Sequence, residues 1–77
     1  MTFKKITKPT AKKMYLSGKT IYLVPNKCSP TNDTWVQPTP ISARMGKGFE
    51  TVVNEYEYYN CNYECGKVAA YYIEQEG

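Results

Sequence analysis

The stretch EYEYYNCNYEC, residues 55–65, sets four tyrosines, three glutamates and two cysteines into eleven positions. Cysteine and carboxylate side chains could hold a metal, and tyrosine with glutamate could form a docking surface. The metal reading finds little support. Cys61 and Cys65 are separated by three residues, Cys28 would bring only a third thiolate, and the chain has no histidine. Tetrahedral zinc sites take four Cys or His ligands. The three cysteines read as small reduced core residues, and neither a metal nor a cofactor is expected.

The missing histidine excludes more than zinc. Without an imidazole, no side chain titrates near neutral pH unperturbed, and Ser-His or Cys-His nucleophile pairs cannot be built. Glutamate could still act as acid or base. Glu55, Glu57 and Glu64, however, sit in a segment that reads as solvated. The sequence points away from an enzyme and toward a protein that works by contact.

Size agrees. Seventy-seven residues make a single small domain, 1–77. Such a chain buries only about 60% of the surface that its unfolded form exposes, so its core is small. With 42% hydrophobic residues it is not a disordered chain. Its longest apolar run, VAAYYI at 68–73, falls far short of the roughly 20 residues of a membrane span. The basic start MTFKKITKPTAKK lacks the apolar segment of a signal peptide, and an odd cysteine count argues against a secreted disulfide framework. A cytoplasmic protein is expected.

The elements that would position the tyrosines can be read from periodicity. Residues 6–18 predict a short helix with Thr7 or Lys8 at its N-cap and Pro9 in the first turn, where a missing N–H costs nothing. Ala11, Met14 and Tyr15 make its apolar stripe, and Gly18 ends it in the left-handed conformation. Lys8, Lys12 and Lys13 lie on the opposite face. Residues 19–25 predict a strand whose run Ile21-Tyr22-Leu23-Val24 is apolar on both faces, hence central, and is stopped by Pro25. Residues 25–48 hold four of the five prolines and read as a long irregular loop, with one short strand around Thr34–Gln37 and the only tryptophan, Trp35.

From Phe49 the period changes. Phe49, Val52, Val53, Tyr56 and then Tyr59 or Asn60 predict an amphipathic helix over 49–60, with Glu50 suited to its positive end. After Gly66, residues 67–75 read as a second strand, although two alanines keep a helix open. The order is helix, strand, long loop, helix, strand. The expected fold is α+β, with the strands 19–25 and 67–75 paired at the centre and two helices packed on the small sheet. Val52, Val53 and Tyr56 then belong to the core. Tyr58 and Tyr63 point elsewhere, with Glu55 and Glu57 beside them on the outer face.

Charge is divided unevenly. Residues 1–47 carry eight lysines and Arg44 against Asp33 alone, a balance of +8, and residues 48–77 carry six glutamates against Lys67, a balance of −5. Three readings follow. The basic first helix and the acidic second helix could lie together and solvate each other. Lys8, Lys12, Lys13, Arg44 and Lys47 could contact phosphates, which would make a nucleic-acid-binding protein; lysine suits backbone attraction better than base readout. Or Glu55, Glu57, Tyr58 and Tyr63, with Trp35, could engage a basic surface on another protein, one that normally binds nucleic acid. A head-to-tail homo-oligomer joining the two halves is a further option.

The segments ITKPTAKKMYLSGKTIYLVP (6–25), WVQPTPI (35–41) and FETVVNEYEYYNCNYECGKVAAYYIE (49–74) resemble a group of small, largely uncharacterised proteins carried by phages and mobile elements of Gram-positive bacteria. The likeness is one of sequence style, strongest in GKTIYLVP and NEYEYYNCNYE, and brings no catalytic motif. It implies an accessory protein acting in the cytoplasm of the host cell. Among such proteins, host-takeover and anti-defence inhibitors, anti-CRISPR proteins included, act mostly by binding a host protein and blocking its nucleic-acid site.

Overall fold

A computed structural model describes residues 2–27, 38–64 and 66–75. Strand β1 (Thr2–Ile6) leads into helix α1 (Lys8–Leu16) and strand β2 (Ile21–Pro25). Strand β3 (Thr39–Ile41) and a single 3-10 turn (Ala43–Met45) follow, then helix α2 (Phe49–Asn60) and strand β4 (Ala69–Gln75). The four strands form one antiparallel sheet in the order β1-β4-β2-β3. This is the expected α+β architecture, with β2 and β4 paired centrally from Tyr22↔Tyr72 to Pro25↔Ala69.

Local chemistry sets the helix bounds. Thr7, in extended conformation, accepts the Thr10 N–H through its side chain, and Pro9 stands in the first turn. At the other end Gly18 takes φ +95°, and Lys19 N–H returns to the Met14 carbonyl. The chain can then reverse into β2. In α2 the stripe Phe49, Val52, Val53 and Tyr56 is buried throughout. It ends there, because Tyr59 and Asn60 in the last turn are exposed.

Both helices lie on one face of the sheet. Ala11 and Tyr15 of α1 and the four stripe residues of α2 pack there with Ile21, Leu23, Ile41, Ala69 and Tyr71. The opposite face carries Val24, Ala70 and Tyr72, all buried, with Phe3 and Tyr22 packed edge to face at 5.2 Å. The apolar run of β2 is thus used on both sides. Tyr15 ties α1 to the entry of α2 by donating its hydroxyl to the Lys47 carbonyl at 2.6 Å.

Two features depart from the sequence expectation. β1 was not anticipated: five residues with two exposed lysines give too short an alternation, yet all five pair with β4. Within the stretch 25–48 the described residues are also more regular than a loop. It contains β3, where Pro40 is tolerated because among the described strands β3 bonds only to β2 and is an edge. The strand expected around Thr34–Gln37 lies outside the described residues, as does Trp35.

Candidate interaction surface

The second half of α2 and the turn after it place the tyrosines. A helix advances about 100° per residue, so Tyr58, two residues past Tyr56 on the inner stripe, is turned outward, while Tyr59, three residues past it, stands on the flank of that stripe in the last turn. Tyr56 is buried and donates its hydroxyl to the Leu23 carbonyl at 3.2 Å. Tyr58 and Tyr59 are 81% and 79% exposed, their rings edge to face at 5.0 Å and 85°. Tyr59, which with Asn60 was one of two residues expected to continue the stripe, belongs to the surface.

Tyr63, in the turn that follows the helix, is 78% exposed. The turn is held on several sides. Asn62 and Gly66 exchange backbone hydrogen bonds of 2.9 and 2.8 Å, and the Asn62 side chain accepts the Glu64 N–H. Gly66 is buried at φ +114°, so close to the end of β2 that a Cβ there would overlap the Asn26 side chain and crowd the Lys27 nitrogen. Asn26 N–H bonds to the Val68 carbonyl at 2.8 Å. Lys27 Nζ donates to the Tyr63 carbonyl at 3.0 Å, and Lys67 Nζ stands 4.2 Å from the centroid of the Tyr63 ring. The result is a fixed loop that carries an exposed ring. Lys27 and Lys67 were not singled out by sequence, since their meeting at Tyr63 depends on a contact 36 residues apart in the chain.

The glutamates are placed differently from the expectation. Glu57 does not stand on the outer face with Glu55. It is half-buried and accepts the backbone N–H of Ala69 at 2.9 Å, serving the entry of β4. Glu55 is half exposed and paired with Lys47 at 3.0 Å.

The basic residues are partly neutralised as well. Lys8 and Lys12 reach Glu50 at 3.7 and 3.9 Å, so the two helices do meet through opposite charges, and Lys47 is held by Glu55. Lys13 and Arg44 are exposed on α1 and the 3-10 turn, with no ion pair among the described residues. The structure does not gather the five cations into one free patch.

Elsewhere, Cys61 is half-buried against the core, while Cys28 and Cys65 lie outside the described residues. No group of three metal-ligating side chains occurs among the described residues. No helix among them is long and apolar enough to cross a membrane. A shallow cleft of about 290 Å³ lies at the far end of the sheet from the tyrosine loop, lined by Met14, Lys19, Thr20, Tyr22, Ile73 and Glu74. Burial pushes the Tyr22 hydroxyl up, helped by its 3.1 Å bond to Glu74. Tyr71, under α2, is pushed up to about 12 by burial first and then by Glu57 and Glu50.

No family model, curated protein or solved structure matches the chain.

Proposed function

We propose that this protein acts by contact, as a small accessory protein of phage or mobile-element type that binds a host protein and blocks or modulates it. The observation that carries the reading is three tyrosines, each about four-fifths exposed, two of them in contact on the end of a helix and the third on the braced turn that follows. Tyrosine offers a large, rigid contact area at low entropic cost and is enriched where interfaces concentrate their energy. Rings left in water on ordered backbone are not needed by the core, which already holds Tyr15, Tyr56, Tyr71 and Tyr72. The host-directed and inhibitory part of the reading rests on the sequence resemblance, the anti-defence role included.

The test is affinity capture from bacterial lysate with the tagged protein and with a Tyr58→Ala/Tyr59→Ala/Tyr63→Ala variant, each with and without nuclease. Capture of one dominant host protein by the parent, and its loss in the variant, is the expected result. Equal capture by both would remove the tyrosine surface from the reading. Recovery of nucleic acid alone, sensitive to nuclease, would transfer function to Lys13, Arg44 and their neighbours.

A further inference from the structure

The sheet parts at the end opposite the tyrosine turn. β2 and β4 are paired from Pro25↔Ala69 to Tyr22↔Tyr72, and there their ladder stops. Beyond it each strand follows its outer neighbour. β4 continues beside β1 through Ile73↔Lys4, Glu74↔Phe3 and Gln75↔Thr2, while β2 begins beside β3 at Ile21↔Ile41. The cleft of about 290 Å³ lies in this parting, with Lys19 and Thr20 from the approach to β2, Ile73 and Glu74 from the tail of β4, and Met14 and Tyr22 completing its lining. Its walls are fixed from behind. The two outer ladders hold the strands, and the Lys19 N–H is tied to the Met14 carbonyl at 3.0 Å.

The lining is chemically mixed. Met14 and Ile73 are half-buried at the margin of the core and bring apolar surface. Lys19 and Glu74 are exposed, and neither belongs to an ion pair among the described residues, with each other or with any other group. A cation and an anion thus line one small space without neutralising each other by contact. Glu74 accepts the Tyr22 hydroxyl at 3.1 Å through one carboxylate oxygen. Its other oxygen, and the donors of Lys19 and Thr20, are left for a ligand.

We propose that this cleft binds a small zwitterion with an apolar body, the chemistry of a free aliphatic amino acid. Lys19 takes the ligand's carboxylate, Glu74 its ammonium group, and Met14 and Ile73 its side chain. A ligand with a single charge leaves the opposite group of the cleft unanswered. A much larger one outgrows a space at the lower limit of small-molecule pockets. The site stands at the far end of the sheet from the exposed tyrosines and does not depend on the reading of those rings as a docking surface.

The experiment titrates the isotope-labelled full chain with L-leucine and with three of its part-molecules. These are 4-methylpentanoate, which lacks only the amine, 3-methylbutylamine, which lacks only the carboxylate, and glycine, which lacks the side chain. In a titration carried to roughly 10 mM, a range suited to so open a site, leucine should move the amide signals of Lys19, Thr20, Tyr22, Ile73 and Glu74. Those of Tyr58, Tyr59 and Tyr63 should stay in place. Each part-molecule should bind at least about fivefold more weakly. Lys19→Gln and Glu74→Gln, both at exposed positions, should each weaken leucine by about fivefold with core signals unchanged. The second keeps a carbonyl acceptor for the Tyr22 hydroxyl. No response to leucine at these residues would make the cleft a solvated notch and overturn the proposal. So would equal binding of any part-molecule, or undiminished leucine binding by either variant. The titration contains no host protein, so its failure leaves the docking reading as it stands.

Discussion

The carboxylate of Glu57 accepts the backbone N–H of Ala69 at 2.9 Å, so a side chain on the last half of α2 satisfies the first donor of β4. That donor is partly buried, and an unsatisfied buried group costs more than a hydrogen bond contributes. Glu57→Ala is therefore expected to destabilise the fold by about 1–3 kcal/mol. Glu57→Gln, which keeps a carbonyl acceptor, should cost about 1 kcal/mol or less. In a domain of this size each kcal/mol moves the melting temperature by about 4–8 °C, so a thermal scan of the two variants resolves the difference.

Neighbouring tyrosines on α2 should separate sharply in a stability measurement. Tyr56→Ala removes a buried ring and its hydroxyl bond to Leu23, at an expected cost of about 3–5 kcal/mol. Tyr58→Ala and Tyr59→Ala should stay within about 0.5 kcal/mol of the parent. Urea unfolding of the three variants gives the answer. A large loss from Tyr58→Ala would mean that the outer rings serve the fold and would weaken their assignment to binding.

Two glycines with positive φ make a controlled pair. Gly18 at +95° has nothing within 4 Å of an added Cβ, whereas Gly66 at +114° would bring a methyl against Asn26 and to 2.8 Å from the Lys27 nitrogen. Gly18→Ala meets only backbone strain and should cost about 1 kcal/mol. Gly66→Ala adds the collision and should cost about 2–3 kcal/mol. It should also release Tyr63 from Lys67, visible as loss of the ring-current shift on the Lys67 methylene protons.

Tyr71 supplies a pH prediction. Its hydroxyl is neutral up to about 12 in the fold, while an unfolded tyrosine ionises near 10. Between those values the unfolded chain has lost the proton that the folded chain keeps, so stability present below pH 10 is lost as the pH rises toward 12. Tyr71→Phe removes that contribution. Its unfolding free energy should decline less steeply over this window than that of the parent, measured by denaturant titration at successive alkaline pH values.

What the sequence made legible was local. The Thr7 cap, the Gly18 stop, the bounds of α2 and the two-sided run of β2 all follow from residues within a turn or two of each other. The long-range parts were not legible. β1 becomes a strand because β4 accepts it residue for residue, and nothing in TFKKI alone says so. β3 has only three residues and a proline, and it exists by pairing with β2. At the surface, period alone left Tyr59 between stripe and solvent. It placed Glu57 outside because the Ala69 donor it serves is twelve residues on. Tyr58 and Tyr63 were read outward and are outward. Their cationic company, Lys27 and Lys67, required the turn after β2 to meet the turn before β4.

The sheet order has a consequence for how the chain comes together during synthesis. β4 is the last of the described strands to leave the ribosome, and it lies between β1 and β2, which share no hydrogen-bonded ladder with each other. Until residue 69 is available, β1 has no strand to bond and β2 has only three residues of β3. The helices meanwhile have no finished face to cover. Assembly therefore waits on one closing segment whose contacts reach back across most of the chain. That topology makes folding slow for so small a domain and ties its success to the integrity of its last strand.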